Sequence, residues 1–267
     1  LTICEDAWFD AKPEGVRQHM TDPIENYSEY ELDVLLNLSA SPFRSGKPDE
    51  RVDRFGRHST TIDAPVVFAN QVGANDELVF DGNSVIMNGN DTMCRLAGFE
   101  EDEISLQDGL EDGNSKSTTN IGETVKAVEM GIKDYFDKTG SETAIIGMSG
   151  GIDSSVAALL TKEALGPENV IGISLPSTVS SQSSINDART VAENLGIEFQ
   201  VLPIGSYFTD IEDKLENEGH TIEGITRENI QARIRGLVLM TLSNSVEKAL
   251  VITPDNKSEG AVGYCTL

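Results

Sequence analysis

Glycine, serine and aspartate are concentrated in one short stretch of this 267-residue chain, residues 147–155, which reads GMSGGIDSS. The stretch follows an apolar run at 144–146 and precedes an apolar run at 156–162 that can continue as a helix. A strand, a glycine turn and a helix in this order are typical of a phosphate-binding loop, because glycine lets an anion approach the backbone and the helix start carries partial positive charge. The alternative is an ordinary turn, which so many small and polar residues make less favourable.

One residue of the stretch, Asp153, does not suit simple anion binding, because a carboxylate repels a phosphate. It indicates a divalent cation between the two, and Mg²⁺ is the usual partner of carboxylate and phosphate oxygens. No Gly-Lys-Ser/Thr follows the glycines, so the stretch is not a Walker loop. The sequence therefore predicts a site for a magnesium-bound phosphate compound.

This pattern resembles the SGGxDS loop of the ATP pyrophosphatases, which cut ATP between the α and β phosphates. That group includes NAD synthetases, GMP synthetases, asparagine synthetases and tRNA-thiolating enzymes, and the loop alone does not choose among them. The resemblance implies that ATP is bound by Gly147, Met148, Ser149, Gly150, Gly151, Ile152, Asp153 and Ser154.

The composition excludes some function classes. Lys and Arg number 20 and Asp and Glu number 45, so the net charge is −25 and the pI is about 4.3. Such a chain repels nucleic acid, so we expect no nucleic-acid partner. Three cysteines make no disulfide framework, and no apolar run is long enough to span a bilayer. We therefore expect a soluble, cytoplasmic protein with no membrane partner.

A candidate nucleophile, Cys4, follows the short apolar start of the chain and lies in a turn of acidic and aromatic residues. The alternative is a buried cysteine that acts as a small apolar residue. The chain opens at Leu1 without a methionine, which suggests a piece of a longer protein. A second polar loop, at 39–47, follows a predicted strand at 34–38 and suits a carboxylate ligand, or is a surface turn.

Three segments, ICEDAW, NLSASPFRSGK and NQVGANDELVFDGNS, follow one another in the order found in the nitrilase-type glutaminase domain of glutamine-dependent NAD synthetases, which they resemble. The resemblance implies that Cys4 attacks the side-chain amide of glutamine, forms a thioester and releases ammonia, and that Ser41 and Lys47 bind the glutamine. The Glu and Lys of the family's triad lie upstream of the cysteine, and only three residues precede Cys4 here. Ala74 stands where a glycine is expected.

The segments PSTVSSQSSINDA, ENIQARIR and NKSEGAVGYCTL resemble motifs of the synthetase domain in the same family. The resemblance implies that Asn229, Arg233 and Glu259 bind deamido-NAD, and that Asp153 and Glu259 hold Mg²⁺. It also implies that Thr253 contacts ATP. Val179 replaces a more usual tyrosine, and Pro254-Asp255 stand where a glycine usually follows the threonine.

The resemblance, together with the composition of residues 104–120, divides the chain into three parts. Residues 1–103 match the C-terminal part of the glutaminase domain, 104–120 form an acidic and then Gly/Asn/Ser/Thr-rich linker, and 121–267 match the N-terminal part of the synthetase domain. Strands alternate with helices after residue 121, which predicts a parallel sheet. The expected fold is α/β: the C-terminal half of a nitrilase-like αββα sandwich, followed by a Rossmann-like ATP pyrophosphatase domain.

Three local predictions concern particular elements. A strand at 77–81 with an Asp-Gly turn predicts a hairpin that returns over 85–87. Residues 66–73 read as one strand with a polar end. Residues 226–248 read as a long helix with Thr226 as its N-cap. The resemblance implies that the arginines beside Asn229, Arg233 and Arg235, could serve the phosphates of the dinucleotide.

The activity implied by the resemblance is ATP-dependent amidation of deamido-NAD to NAD through an adenylated intermediate, with ammonia from glutamine. The implied partners are deamido-NAD, ATP, glutamine and ammonia, with Mg²⁺ as the metal, and we expect a homo-oligomer in the full-length protein. Two alternatives stay open. One is another amidotransferase with the same loop, such as a GMP synthetase, and the other is an inactive truncated fragment.

Overall fold

The computed structural model describes residues 1–9, 22–105 and 120–263. The chain divides into two compact units, Leu1–Tyr135 and Phe136–Leu267. Most of the predicted linker, residues 106–119, lies outside the described residues. Within the described ranges, no helix combines the length and apolar character that crossing a membrane requires.

The first unit is built on a five-stranded sheet with the strand order β1-β2-β3-β6-β7 and a separate hairpin of β4 and β5. Its strands and helices are β1 Thr2–Ile3, α1 Pro23–Tyr27, β2 Leu35–Ser39, α2 Lys47–Ile62, β3 Val66–Asn70, β4 Val72–Asn75, β5 Leu78–Asp81, β6 Val85–Asn88 and β7 Asp91–Arg95. Strands β1, β2 and β3 are parallel, and β6 and β7 are antiparallel.

Helix α2 packs on this sheet and supplies much of the unit's core. Phe55 of α2 stacks on Phe68 of β3 with ring centroids 4.4 Å apart, and both rings are buried. The N-cap of α2 is Gly46, whose φ of +79° is in the left-handed region that favours glycine. This turn sends the chain from the loop after β2 into α2, so the loop and the first turn of the helix lie side by side.

Two of the local predictions for this unit are wrong. Strand β5 pairs with β4 rather than with β6, while β6 pairs with β3 and β7. The predicted single strand at 66–73 is therefore two strands, β3 and β4, which belong to different sheets. The Asp-Gly turn after β5 thus redirects the chain between sheets instead of closing a hairpin.

The second unit contains a four-stranded sheet with the order β10-β9-β8-β11, and every neighbouring pair is parallel. Helix α3 Asn120–Thr139 spans the division between the two units in the chain. The elements that follow it in the second unit are β8 Thr143–Gly147, α4 Ile152–Leu165, β9 Val170–Ser174, α5 Gln182–Leu195, β10 Glu198–Val201, α6 Gly205–Asn217, α7 Gly224–Ser245, β11 Ala249–Ile252 and α8 Lys257–Val262. The predicted parallel sheet is confirmed.

Helix α7 packs against β8 and β11, and its Ile234 joins a core with Ile145, Ile173 and Phe208. The predicted long helix is confirmed, but its N-cap is Glu223 rather than Thr226. In parallel sheets of this kind, ligands bind outside the carboxyl ends of the strands. A ligand site is therefore expected at the loops that follow β8, β9 and β11.

Candidate functional site

The glycine-rich loop occupies residues 148–151, between the end of β8 and the start of α4. Its first residue, Met148, is buried, and its backbone N–H donates to the carbonyl oxygen of Ile173 in β9 at 2.8 Å. Ser149 and Gly151 are exposed, and Gly150 is half-buried. The loop is thus anchored in the sheet at one end and open to solvent beside the helix start.

Two serine hydroxyls hold the shape of this loop from within. The Oγ of Ser154 accepts from the backbone N–H of Ser149 at 3.3 Å and lies 3.1 Å from the carbonyl oxygen of Gly151, to which it donates. The Oγ of Ser149 accepts from the N–H of Gly151 at 3.1 Å. Gly151 is the N-cap of α4 and provides no side-chain cap, so the first amides of the helix stay available to an anion.

Gly150 has a φ of +84°, and a Cβ placed there would overlap the backbone carbonyl of Ser184 in α5. Both the backbone angle and the close approach require glycine. The loop therefore runs directly against the first turn of α5, which begins at Gln182 with Ser181 as its N-cap. This contact fixes the height of the loop above the sheet.

Asp153, in the first turn of α4, is exposed beside the loop. Its Oδ2 accepts from the side-chain amide of Asn256 at 3.5 Å. Asn256 is the N-cap of α8 and forms a capping box with Glu259: its Oδ1 accepts from the Glu259 N–H at 2.9 Å, and a Glu259 carboxylate oxygen accepts from the Asn256 N–H at 3.3 Å. The structure thus brings Asp153 and the Glu259 segment together.

The donor set at this position suits magnesium in kind. Asp153 and Glu259 supply carboxylate oxygens, which Mg²⁺ prefers, and phosphate oxygens and water usually complete its shell. Among the described residues, no group of three or more His, Cys, Asp or Glu side chains forms a metal cluster. A cation here would therefore depend on a bound phosphate compound for part of its coordination.

The remaining predicted site residues lie on β11 and α7. Thr253 directly follows β11 and is exposed, as expected for the carboxyl end of a strand. Asn229 and Arg233 are one turn apart on α7, where Asn229 is half-buried and Arg233 is exposed. Arg235, one of the arginines proposed for phosphates, instead donates from Nε to the carbonyl oxygen of Leu175 at 3.1 Å. Burial lowers the pKa of the Arg235 guanidinium.

In the first unit, Cys4 begins a 3₁₀ turn, Cys4–Ala7, directly after β1. Its φ is +43°, in the left-handed region that is strained for a residue with a side chain. The thiol is half-buried. Backbone strain of about 1–3 kcal/mol persists where surrounding structure enforces it, and such positions are concentrated at functional sites. This backbone conformation would fix the direction of the Cys4 side chain, as a nucleophile requires.

Ser41 and Lys47 lie on the loop after β2 and at the start of α2. Because β1 and β2 are parallel, with Ile3 opposite Leu38, the segments that follow both strands meet at one edge of the sheet. Ser41 is buried. The ammonium of Lys47 lies 3.5 Å from the centroid of the Trp8 ring, so the Cys4 segment and the second loop come together through Trp8.

The side chain of Lys47 is only 16% exposed. Burial lowers the pKa of Lys47 to about 8, while the neighbouring carboxylate of Glu50 opposes the shift. The Arg54 guanidinium lies 4.3 Å from the centroid of the same Trp8 ring, so two cations contact the ring. The carboxylate of a ligand beside Lys47 would balance the positive charge of these cations.

Sequence reasoning missed two groups that contact these residues. One is Asn256, which links Asp153 to the α8 turn, and the other is a buried ion pair of Arg51 and Asp81 beside Ser41. From the sequence, Asp81 indicates only an Asp-Gly turn. An Asp-Gly pair that does not close a hairpin is a weak signal, and the arginine partner lies 30 residues away in the chain.

Comparisons with known proteins identify NAD synthetases as the relatives of this chain. A family model described as NAD synthase matches residues 124–267. The chain is 39% identical over 276 residues to a glutamine-dependent NAD(+) synthetase of Synechocystis sp., and 36% identical over 314 residues to that of Thermotoga maritima. These alignments cover 100% of this chain but 49% and 52% of the two relatives, so the chain spans about half the length of the curated relatives it matches.

Solved structures give the same result. The glutamine-dependent NAD⁺ synthetase from Acinetobacter baumannii, in complex with ADP, matches with a TM-score of 0.89 and 32% identity, over 99% of this chain and 49% of that chain. An NH3-dependent NAD synthetase from Campylobacter jejuni covers 56% of this chain and 62% of its own, with a TM-score of 0.50 and 30% identity. The match over nearly the whole chain confirms the predicted fold class.

Proposed function

We propose that this chain, which belongs to the NAD synthase family, contributes to a glutamine-dependent NAD(+) synthetase: it supplies residues of the glutamine site and the ATP-binding loop of the synthetase. The observation that carries the proposal is the convergence of the loop at 148–151, the start of α4 and the Asp153–Asn256 hydrogen bond at the carboxyl ends of two parallel strands. That arrangement suits a nucleoside triphosphate with a cation.

For the synthetase reaction, the open amides at the start of α4 would hold phosphate oxygens, and the loop from Gly147 to Ser154 would orient the α phosphorus. The carboxylate of deamido-NAD would attack that phosphorus, and pyrophosphate would leave. The resulting adenylate exchanges a poor leaving group, oxide, for a good one, AMP. Ammonia would then displace AMP to give NAD. Asn229 and Arg233 would bind the dinucleotide, and Thr253 would contact the ATP.

We assign Asp153 and Glu259 as the carboxylates for Mg²⁺. When bound, the cation would offset the charge that develops on the departing pyrophosphate. The Asp153 carboxylate is exposed next to the loop, and the Glu259 carboxylate is oriented by the Asn256 N–H. Magnesium thus fits the donors of this site, and the assignment rests on their chemistry.

For the glutamine reaction, the thiolate of Cys4 would attack the side-chain amide, form a thioester and free ammonia. Ser41 and Lys47 would bind the substrate, with Lys47 on its carboxylate. The Glu and Lys that complete the family's triad would have to come from other parts of the full-length protein. We therefore propose glutamine use for that protein and not for this chain by itself.

Three further assignments belong to the proposal. The sparse cysteines favour a cytoplasmic location. The substrates would be small molecules, without nucleic acid, because the net charge of −25 opposes a polyanionic partner. The full-length protein would be a homo-oligomer. Sedimentation of the purified full-length protein would test the last point, and a monomer would contradict it.

Another amidotransferase activity, such as that of a GMP synthetase, is not favoured, because the matched family model and the named relatives are NAD synthetases. A substrate screen with the full-length protein tests this choice. In the presence of ammonium, the release of pyrophosphate from ATP should depend on deamido-NAD. Release that depends on XMP instead, with none on deamido-NAD, would overturn the proposed function.

A further inference from the structure

A buried ion pair in the first unit has no part in the reactions described above. Arg51 of α2 and Asp81 at the end of β5 are both fully buried at their side chains. The Nη1 of Arg51 donates to both carboxylate oxygens of Asp81 at 2.8 Å. The carboxylate is held further by the side-chain amide of Asn83, at 2.8 Å.

The other edge of the guanidinium contacts Ser41. Nη2 of Arg51 donates to the Ser41 carbonyl oxygen at 2.7 Å. Nε and Nη2 lie 3.3 and 3.2 Å from the Ser41 hydroxyl oxygen. One side chain therefore holds both the backbone and the hydroxyl of a residue that we assign to the glutamine site.

The chemistry of these bonds sets the direction of the hydroxyl. A guanidinium only donates, so the Ser41 Oγ must accept from Arg51, and its own hydrogen is left to donate elsewhere. Among the residues that the structure describes, that hydroxyl donates to no protein acceptor. Arg51 thus presents Ser41 as a donor, the polarity that suits the carbonyl or carboxylate oxygens of an amino acid substrate.

The backbone of Ser41 is fixed from a second side by Asn70 of β3. The Ser41 N–H donates to the Asn70 Oδ1 at 2.8 Å. The Asn70 side-chain amide donates in turn to the carbonyl oxygen of Gly82, next to Asp81, at 3.0 Å. The loop after β2 is therefore tied to the turn after β5 by two independent routes.

Fold stability alone does not explain such a pair. Burial lowers the pKa of the Arg51 guanidinium and the Asp81 carboxylate opposes this, which reflects a desolvation cost that the ion pair must offset. Apolar residues of similar size stabilise a core equally well in many proteins. The guanidinium of Arg51, which can only donate, fixes the orientation of the Ser41 hydroxyl, and an apolar side chain could not do so.

We propose that Arg51 and Asp81 are positioning residues of the glutamine site, which hold the Ser41 hydroxyl as a donor toward the bound substrate. The inference rests on the proposed function of the first unit. Both side chains are fully buried, so both would act through Ser41 and affect glutamine binding rather than the ammonium-dependent reaction of the second unit.

The test uses the full-length protein, with KM for glutamine and the rate with saturating ammonium measured side by side. Arg51→Lys keeps the charge but cannot reproduce the fork, and it should raise KM for glutamine about tenfold or more. The ammonium-dependent rate should stay within about twofold. Arg51→Met should have at least the same effect, and Asp81→Asn serves as a further variant if Arg51→Met does not fold.

Ile62→Val is a matched control on the same helix. Ile62 is buried at the far end of α2 and belongs to the hydrophobic core of the first unit. Its truncation should lower the melting midpoint of the unit but leave the hydrogen bonds of Ser41 unchanged. Its KM for glutamine should not change. A rise in KM with Ile62→Val equal to that with Arg51→Lys would show that general destabilisation is the cause, and would overturn the proposal.

A double-mutant cycle separates positioning from packing. Ser41→Ala should raise KM for glutamine, and Arg51→Lys in the Ser41→Ala background should add little, because the hydroxyl that it orients is gone. Fully additive effects would overturn the proposal, as would an unchanged KM in folded Arg51→Lys. If the unvaried protein makes NAD from ammonium but uses no glutamine, the proposed glutamine function itself fails, which is distinguishable because no variant is needed to see it.

Discussion

Asn256 donates a side-chain hydrogen bond to the carboxylate of Asp153 at 3.5 Å, although the two residues are 103 positions apart in the chain. Asp153 lies at the start of α4 and Asn256 caps α8, so the bond joins the loops that follow two neighbouring strands, β8 and β11. The side-chain amide of Asn256 thereby orients the Asp153 carboxylate, and its backbone N–H orients the carboxylate of Glu259 through the capping box. Both are the residues that we assign to magnesium.

Substitutions at Asn256 can separate its two roles. Serine and aspartate are both good N-caps, so each preserves the start of α8. Asn256→Ser lacks the donor to Asp153 and should raise KM for Mg-ATP several-fold in the full-length protein. Asn256→Asp adds a carboxylate beside Asp153 and should raise it further at low magnesium. The measurement is KM for ATP at several magnesium concentrations. Equal KM values in both variants and the unvaried protein would remove Asn256 from the site.

Gly150→Ala should disable the phosphate loop. The added Cβ meets the Ser184 carbonyl, and the φ of +84° is strained for alanine, so the loop must move. We expect ATP binding to weaken by about tenfold or more and unfolding to become easier by about 1–2 kcal/mol. ATP titration by calorimetry and thermal melts give the two values.

Gly236→Ala is the matched control for that prediction. Gly236 lies inside α7, where an added Cβ meets nothing within 4 Å. It should leave ATP binding unchanged and stabilise the helix by up to about 1 kcal/mol. Normal ATP binding by Gly150→Ala would show that the loop tolerates the shift and does not bind phosphate as described.

Glutamine binding should weaken as pH rises, because the pKa of Lys47 is lowered from 10.5 to about 8 by burial. The cation that holds the substrate carboxylate is fully present below pH 8 and is lost as pH rises through that value. KM for glutamine should therefore rise by about tenfold toward pH 9. Lys47→Arg stays charged throughout, so its KM should change less over the same range, and equal pH profiles would contradict the role of Lys47.

The same shift affects stability with a definite sign. Between pH 8 and 10.5 the unfolded chain binds a proton at Lys47 that the folded chain does not. The contribution of Lys47 to the free energy of unfolding therefore increases with pH across that window. In melts of the full-length protein, the stability of Lys47→Met relative to the unvaried protein should decline from pH 8 to pH 10. A difference that is independent of pH would show that the pKa is not shifted.

Cys4→Ala should abolish NAD formation from glutamine in the full-length protein, while formation from ammonium continues. The reason is that the thiol is needed only to release ammonia from glutamine. Cys94→Ala is the control, since Cys94 is buried in β7 and should affect only stability. Loss of both reactions in Cys4→Ala would mean that Cys4 is structural.

The sequence was informative where local chemistry decides structure. The run GMSGGIDSS predicts a loop between a strand and a helix, and β8, α4 and the positive φ of Gly150 confirm it. The alternation of apolar strands and helices is also a local pattern, and it predicts the parallel sheet of the second unit. The resemblance pairs Asp153 with Glu259, and the structure places them on the segments that follow the neighbouring strands β8 and β11, but their roles stay predictions.

What the sequence could not supply depends on contacts between distant segments. The Asp81-Gly82 turn looks like a hairpin from its residues, yet β5 pairs with β4 because the whole sheet determines the partner. The partners Arg51 and Asp81, or Asp153 and Asn256, share no local pattern, and only the fold brings them together. Residue preference predicts Thr226 as the N-cap of α7, while the observed N-cap, Glu223, lies three residues earlier and makes no side-chain cap hydrogen bond.

NAD formation from deamido-NAD, ATP and ammonium tests the central claim most directly. We would measure it on this chain and on the gene extended in both directions, with Asp153→Asn and the exposed Asp210→Asn as variant and control. The account predicts that the extended protein makes NAD with either ammonium or glutamine, that Asp153→Asn lowers both rates by at least about a hundredfold, and that Asp210→Asn leaves them unchanged. Absence of NAD from ammonium in the extended protein, or an unchanged rate in Asp153→Asn, would contradict it.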